Sequence, residues 1–442
     1  MSNNKENAGI NISVKSFITA IVVIFVLMVL TYGLTFVIPG GGIPFWKWAL
    51  SPILVLGADG NVSLIAVIIF LLVIGGIFNC LDKCGLMQYM LDTITDRFGK
   101  ERYKLLAFVT LFFMAMGSFI GSFEEAVPLV PIVVALAIRL GWDALVGLGM
   151  SLLAIGCGFS AGVCNPFTVG VAQELAGLPM FSGIWFRLIG FALVYVLLIS
   201  FLYFYAKKID KPIDSAIMNQ TFKKDAKMDK GLKLFAGIMF GGILLVLSSV
   251  VITFLQDITM IIVAITFLVA GFVAVIATGR GGNILKTFFS GVGSVFAAVF
   301  MILMANSIKY TMEEGNILEP ILQAMVDTAH RLPGWSVILF IYLIVLVMNF
   351  FISSGSAKAF LLMPLIIPIA ETFGISSQLC IVAYAFGDGF SNVLYPTNPV
   401  LLISLGLVDV DYTKWLKWSW KFQFLNLILT SALLLVGLVI GY

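Results

Sequence analysis

Apolar runs of about 20 residues, long enough to cross roughly 30 Å of hydrocarbon as helices, recur along the chain between short polar segments. The pattern predicts spans at 17–38, 63–81, 185–205, 234–255, 258–278, 288–308 and 418–440. Two further stretches, 144–177 and 379–408, are also long enough, but Gly, Pro and Asn interrupt them, which predicts broken helices. The first span follows a polar leader and has no small-residue cleavage site after Ile38, so it reads as a retained helix rather than a signal peptide.

The remaining apolar segments come as two close pairs. Residues 105–120 and 126–140 are joined only by Gly121-Ser122-Phe123-Glu124-Glu125, and residues 335–352 and 359–373 only by Ser353-Ser354-Gly355-Ser356-Ala357-Lys358. Each arm is short for a full crossing and neither turn has a polar loop, so both pairs predict re-entrant hairpins, about 105–140 and 335–373. Two ordinary short spans joined by a surface turn are the plainer reading.

Charge orients the chain. With the N-terminus inside, 21 of the 26 Lys and Arg residues fall on inner segments, eight of them between Lys207 and Lys233. Only Lys47, Lys309 and Arg331 fall outside, and Arg187 and Lys358 lie within spans. The asymmetry predicts a multi-pass protein of the cytoplasmic membrane with a cytoplasmic N-terminus, about nine spans, two hairpins and an outer C-terminus. Composition agrees: 61% of residues are apolar, 11% are charged and mean hydropathy is +1.09, which excludes a soluble enzyme or a nucleic-acid-binding chain. Five cysteines in or beside apolar segments and a single histidine, His330, offer no metal cluster.

Sliding the chain against itself by 233 residues pairs Ala126 with Ala359, Pro131 with Pro364, Gly141 with Gly374, Gly156 with Gly389, Asn165-Pro166 with Asn398-Pro399, and Trp185 with Trp418. The matches fall mainly on helix-punctuating residues and so concern backbone shape. The predicted organisation is a first repeat over 1–205, a cytoplasmic linker over 206–233 and a second, inverted repeat over 234–442. Inverted repeats with broken helices meeting at the midplane are the architecture of secondary transporters. Segments 84–98 and 315–332 read as interfacial amphipathic arms or surface loops.

Both broken helices carry a polar, glycine-rich interruption, at 156–168 and 387–399. Unwound backbone is tolerable at membrane depth only around a polar site, where carbonyl and Ser, Thr and Asn oxygens suit Na⁺ and half-helix N-termini suit a carboxylate. The candidate ion ligands are Ser160, Thr168, Asp388, Ser391, Asn392 and Thr397. The candidate substrate ligands are Ser122, Glu124, Glu125, Asn165, Ser354, Ser356, Lys358 and Asn398. By the 233 offset Glu125 corresponds to Lys358. One buried charge costs roughly 2.5 to 3.5 kcal/mol at a helix centre, so each such residue needs a partner or a task. Mutual pairing that holds the hairpins is as good a reading as substrate contact. A sharper reading puts Lys358 in the place of a bound cation, making one coupling-ion site covalent.

The segments Gly121-Ser122-Phe123-Glu124-Glu125, Asn165-Pro166-Phe167, Ser354-Gly355-Ser356, Phe386-Gly387-Asp388-Gly389-Phe390-Ser391-Asn392 and Lys414-Trp415-Leu416-Lys417-Trp418 resemble the anaerobic C4-dicarboxylate carrier and arginine/ornithine antiporter family of the ion transporter superfamily. The resemblance spans nearly the whole chain. It implies an all-α, elevator-type carrier, usually a homodimer, with a scaffold domain and a transport domain that holds both hairpins. Lys358 departs from it, standing where a neutral residue is expected. The expected function is secondary active transport of a small amino acid, including basic amino acid exchange, driven by Na⁺, H⁺ or counter-substrate; a C4-dicarboxylate carrier is the alternative. No ATP-binding motif appears. A channel and an intramembrane enzyme are the rivals from other classes; the enzyme lacks an H-E-x-x-H and a serine with an evident base.

Overall fold

The computed structural model describes residues 14–37, 41–58, 62–121, 123, 126–127, 129–210, 224–248 and 259–442. Among the described residues all regular structure is helical. The chain is a multi-pass membrane protein: eight helical stretches are long and apolar enough to cross a bilayer, nine when one bent pair counts as a single span.

The first half runs α1 (Val14–Val37), α2 (Phe45–Ala49), α3 (Ser51–Leu54), α4 (Val62–Lys83), α5 (Leu86–Phe98), α6 (Arg102–Ala115), α7 (Leu129–Arg139), α8 (Ala144–Leu148), α9 (Ala154–Ala161), α10 (Val171–Leu175) and α11 (Ile184–Lys208). The second runs α12 (Ala226–Ser248), α13 (Thr259–Thr278), α14 (Ile284–Ser294), α15 (Phe296–Glu314), α16 (Leu318–Ala329), α17 (Gly334–Phe351), α18 (Gly355–Thr372), α19 (Ser377–Gly389), α20 (Pro399–Leu407) and α21 (Tyr412–Ile440). Wide π turns at Met116–Ile120, Gly149–Leu153 and Pro166–Gly170 continue α6, join α8 to α9 and lead into α10. Shifting α4–α11 by 233 residues lays α4 on α15, α5 on α16, α6 on α17, α7 on α18, the α8–α9 run on α19, the Pro166 turn with α10 on α20, and α11 on α21.

Several bounds differ from the sequence expectation for identifiable reasons. The span expected at 288–308 is two helices, α14 and α15, meeting at a 41° bend where Gly291, Gly293 and Ser294 precede Val295. The arm expected at 84–98 is α5, which runs almost continuously into α6 to give a helical stretch from Leu86 to Ile120. The last helix starts six residues early, at Tyr412. The end of the span expected at 234–255 lies outside the described residues.

Helix starts follow local chemistry. Asp143, Asn165, Asn283, Ser354, Ser376 and Asn398 each accept a hydrogen bond from a first-turn backbone N–H, which closes the open end of the helix. Three apolar clusters hold the bundle. One joins α6–α9, α11, α15 and α20; a second joins α17–α19; a third joins α4, α5, α12 and α13. α21 serves the first two, with Trp415 and Phe422 in one and Leu433 and Leu434 in the other. Lipid is as apolar as leucine, so these contacts stabilise by close packing more than by exclusion of water.

Candidate functional site

The two broken helices cross. At the crossing Gly156 faces Val393 and Gly389 faces Ser160, and the 233 offset exchanges one contact for the other. Ser160 Oγ donates to Phe386 O at 3.2 Å. Beyond the crossing each chain unwinds, over 162–165 and 394–398, and restarts at an Asn-Pro step. Proline has no N–H to lose at the first helical position, and the asparagine preceding it supplies the cap. Phe167 N donates to Asn165 Oδ1 at 2.9 Å and Val400 N to Asn398 Oδ1 at 2.9 Å, a second pair of contacts that the offset exchanges. At each half-helix N-terminus a side-chain carbonyl thus accepts from the first turn, at the place where the sequence reading expects a carboxylate to suit.

Lys358, in the first turn of α18, is fully buried and forms an ion pair with Asp388 at the end of α19, also fully buried. Its ammonium also donates to Asn349 Oδ1 and, at 3.2 Å, to Ile352 O. A carboxylate, an amide oxygen and a backbone carbonyl thus surround one nitrogen. The pair joins one residue expected to hold substrate and one expected to hold an ion.

Asn349, near the end of α17, links this cluster to the second break. Its Nδ2 lies 2.6 Å from Ser391 Oγ, 3.0 Å from Asp388 O and 3.0 Å from Asn392 Oδ1, and Asn398 Nδ2 donates to that same Asn392 oxygen at 3.0 Å. The sequence reading missed Asn349; its signal was a lone amide in an apolar helix. It also missed Ser118, which accepts from Val163 N at 3.0 Å on its hydroxyl and from Cys164 N at 3.1 Å on its carbonyl, holding the first break. On the other side of that break, buried Arg187 donates from Nε to Val163 O at 3.1 Å.

Five buried polar atoms here have no hydrogen-bond partner: Asp388 Oδ2, Thr168 Oγ1, Asn165 Nδ2, Thr397 Oγ1 and Arg187 Nη1. The second hairpin tip comes between two of those residues. A Cβ on Gly355 would lie 2.8 Å from Asp388 Oδ2 and 2.7 Å from the Thr168 methyl, so glycine is what lets the backbone approach. Tyr384, inside α19, fixes the tip by donating its phenol to Gly355 O. At the first hairpin, Gly121 has φ +75° and packs on Asn165 Oδ1. Ser122, Glu124 and Glu125 lie outside the described residues. Ser354 is exposed and caps Ala357 N at 3.4 Å, and Ser356 is half-buried beside it. Among the described residues no three His, Cys, Asp or Glu side chains come together.

Residues 49–439 match the family model described as the C4-dicarboxylate anaerobic carrier, DcuC. The chain belongs to that family, a family of membrane transporters. It is 29% identical over 400 residues to the Escherichia coli K12 protein named "Putative basic amino acid antiporter YfcC", covering 86% of this chain and 78% of that protein. It is 26% identical over 404 residues to an uncharacterised Haemophilus influenzae protein, covering 86% and 76%. A comparison with the crystal structure of the Alcanivorax borkumensis YdaH transporter gives a TM-score of 0.45 at 17% identity, covering 96% of this chain and 99% of that one.

Proposed function

We propose that this DcuC-family chain is a secondary active carrier that exchanges small amino acids bearing a cationic group, basic amino acids foremost. The observation that carries the reading is the free oxygen of Asp388. Lys358 occupies Oδ1, while Oδ2 stays buried and unpartnered beside Thr168, at the meeting of the second hairpin tip with both breaks. A buried acceptor without a donor carries the full cost of its desolvation, so a ligand that donates there is strongly favoured. The relative named as a basic amino acid antiporter supports the same reading.

In this reading the chain is two inverted repeats whose paired arms, α6–α7 and α17–α18, are re-entrant hairpins, and it works by an elevator motion as a homodimer of the cytoplasmic membrane with the N-terminus inside. Lys358, ringed by three oxygens of different kinds, takes the place of one coupling cation, and Na⁺ or H⁺ remains for the unpartnered oxygens. The family's description favours a second reading, a C4-dicarboxylate. That substrate would require Lys358 to leave Asp388, or the Asn165 and Asn398 caps to open.

The test is counterflow of labelled arginine into proteoliposomes loaded with unlabelled arginine, with succinate-loaded vesicles as the control. Uptake driven by internal arginine establishes the proposed exchange. Uptake of labelled succinate alone in the converse experiment overturns it in favour of the dicarboxylate.

A further inference from the structure

A face of α21 carries Ser419, Gln423, Asn426 and Thr430, at steps of four, three and four residues, so their side chains stand one above another. Each is at least 96% buried. Thr430 shares a 2.8 Å hydrogen bond with Tyr342 of α17, but Ser419 Oγ and both polar atoms of Gln423 and of Asn426 have no partner. The 233 offset puts Phe186, Gly190, Leu193 and Leu197 at the matching places on α11, so packing at such a position does not itself demand polar side chains. α21 runs antiparallel to α19, because Gly437 meets Leu379 and Trp415 donates to Val393 O. Between those contacts Gln423 and Asn426 come to the depth of Phe386 to Asp388.

The open groups are balanced: two amide carbonyls, two amide NH₂ groups and one hydroxyl. A bare cation would leave both NH₂ groups unpaired and a carboxylate would leave both carbonyls unpaired. Water, which donates and accepts, satisfies all of them. Side chains three or four residues apart on a helix stand about 5 to 6 Å apart at Cβ, a gap one water bridges, and each buried water needs two to four polar partners. The helices packed most closely on α21 are α1, α11, α17 and α19. Asp388 is the single carboxyl group on them. Their other titratable groups are Tyr342, Cys380 and Tyr384 on α17 and α19, Tyr32 and a lysine on α1, and Arg187 with tyrosines and lysines on α11.

We propose that Ser419, Gln423, Asn426 and the Tyr342–Thr430 pair hold a buried file of water molecules at the depth of Asp388, a hydrated path by which protons reach the charged cluster. A proton delivered along it binds Asp388 Oδ2, converts the carboxylate to a neutral acid and leaves Lys358 cationic. The path makes H⁺ the coupling ion, and in that respect it rests on the carrier function proposed above.

Two measurements test it. X-ray hydroxyl-radical footprinting needs no transport and labels buried side chains only where ordered water adjoins them. Tyr342, 2% exposed, should be oxidised in the wild type and at least about five-fold less in Asn426→Leu, with buried Phe422 unlabelled in both. An unlabelled Tyr342 in the wild type overturns the water file. In proteoliposomes containing a trapped pH dye, wild-type substrate uptake should shift internal pH, whereas Gln423→Leu and Asn426→Leu should keep counterflow and lose most of the shift. A shift of wild-type size in both variants, or net substrate uptake by the wild type without any shift, overturns the proton path. Absence of counterflow for arginine and for succinate alike would instead strike the carrier reading and leave the footprinting result standing.

Discussion

Gly389 packs against Ser160 so closely that a Cβ on the glycine would fall 2.0 Å from the serine's backbone nitrogen. Nothing at that contact is a flexible side-chain end, so the two broken helices would have to separate to admit a methyl group. Gly389→Ala should destabilise the detergent-solubilised protein by about 3 kcal/mol, the upper part of the usual range for overpacking. Gly156→Ala, the position matched by the offset, meets the Val393 methyls at 2.7 and 3.0 Å and should cost less, because the contact is with a side chain and not with backbone. Thermal unfolding of both variants checks the order; equal melting temperatures would refute the close crossing.

Lys358 and Asp388 give a second prediction. Removing the ammonium leaves a buried carboxylate, worth about 3 to 5 kcal/mol of destabilisation when a buried pair is broken from one side. The oxygens of Asp388, Asn349 and Ile352 would then surround a vacancy suited to a monovalent cation. Lys358→Ala should therefore melt at a higher temperature in NaCl than in choline chloride, and its counterflow should require Na⁺, while the wild type is indifferent at this site. A variant equally unstable in both salts would show that Lys358 does not stand in for a cation.

Asn349 supplies a third. Its side chain touches Lys358 and also Ser391 and Asn392 of the second break. Asn349→Leu should leave one Lys358 N–H without an acceptor, at about 1 to 3 kcal/mol, because Ser391, Asn392 and the Asp388 carbonyl each keep another partner, and should reduce counterflow by at least about ten-fold. Asn349→Gln restores both amide functions on a longer stem and should recover part of the loss. If Asn349→Leu exchanges substrate at the wild-type rate, the link between lysine and break has no role in transport.

The backbone around this site was more legible in the sequence than its side-chain partners. Apolar runs mark the long helices because a bilayer sets one length, and Asn-Pro with clustered glycine marks the breaks because each disrupts helical hydrogen bonding directly. The α14–α15 bend was missed because glycine and serine inside an apolar run leave hydropathy almost unchanged. Asn349 was missed because its partners at the second break lie 39 to 43 residues along the chain, where no local spacing rule reaches, and Lys358, 9 residues on, lies across the turn between two helices. Asp388 and Lys358 were singled out by the cost of an intramembrane charge, but that cost does not name the partner. Their pairing depends on how α18 and α19 pack.

The last prediction concerns Asp225, just ahead of α12 and outside the membrane-spanning segments. Its carboxylate accepts from Lys227 N at 2.9 Å and Met228 N at 3.3 Å and pairs with Arg280 at 2.8 Å. The two backbone donors, followed by Arg280, hold the carboxyl below its ordinary value of 3.8. A carboxyl whose folded pKa is depressed contributes stability that is fully present above its unfolded pKa and is lost as pH falls through the folded pKa. Asp225→Asn should thus lower the melting temperature slightly at pH 7, and the gap between variant and wild type should stay constant down to about pH 5 and close below pH 4. Salt at about 1 M should narrow the part of the gap due to Arg280, because both partners are solvent-accessible, while the part due to the backbone donors persists. A gap that widens on acidification would mean that the carboxyl is raised in the folded protein, and the capping geometry at the start of α12 would then be wrong.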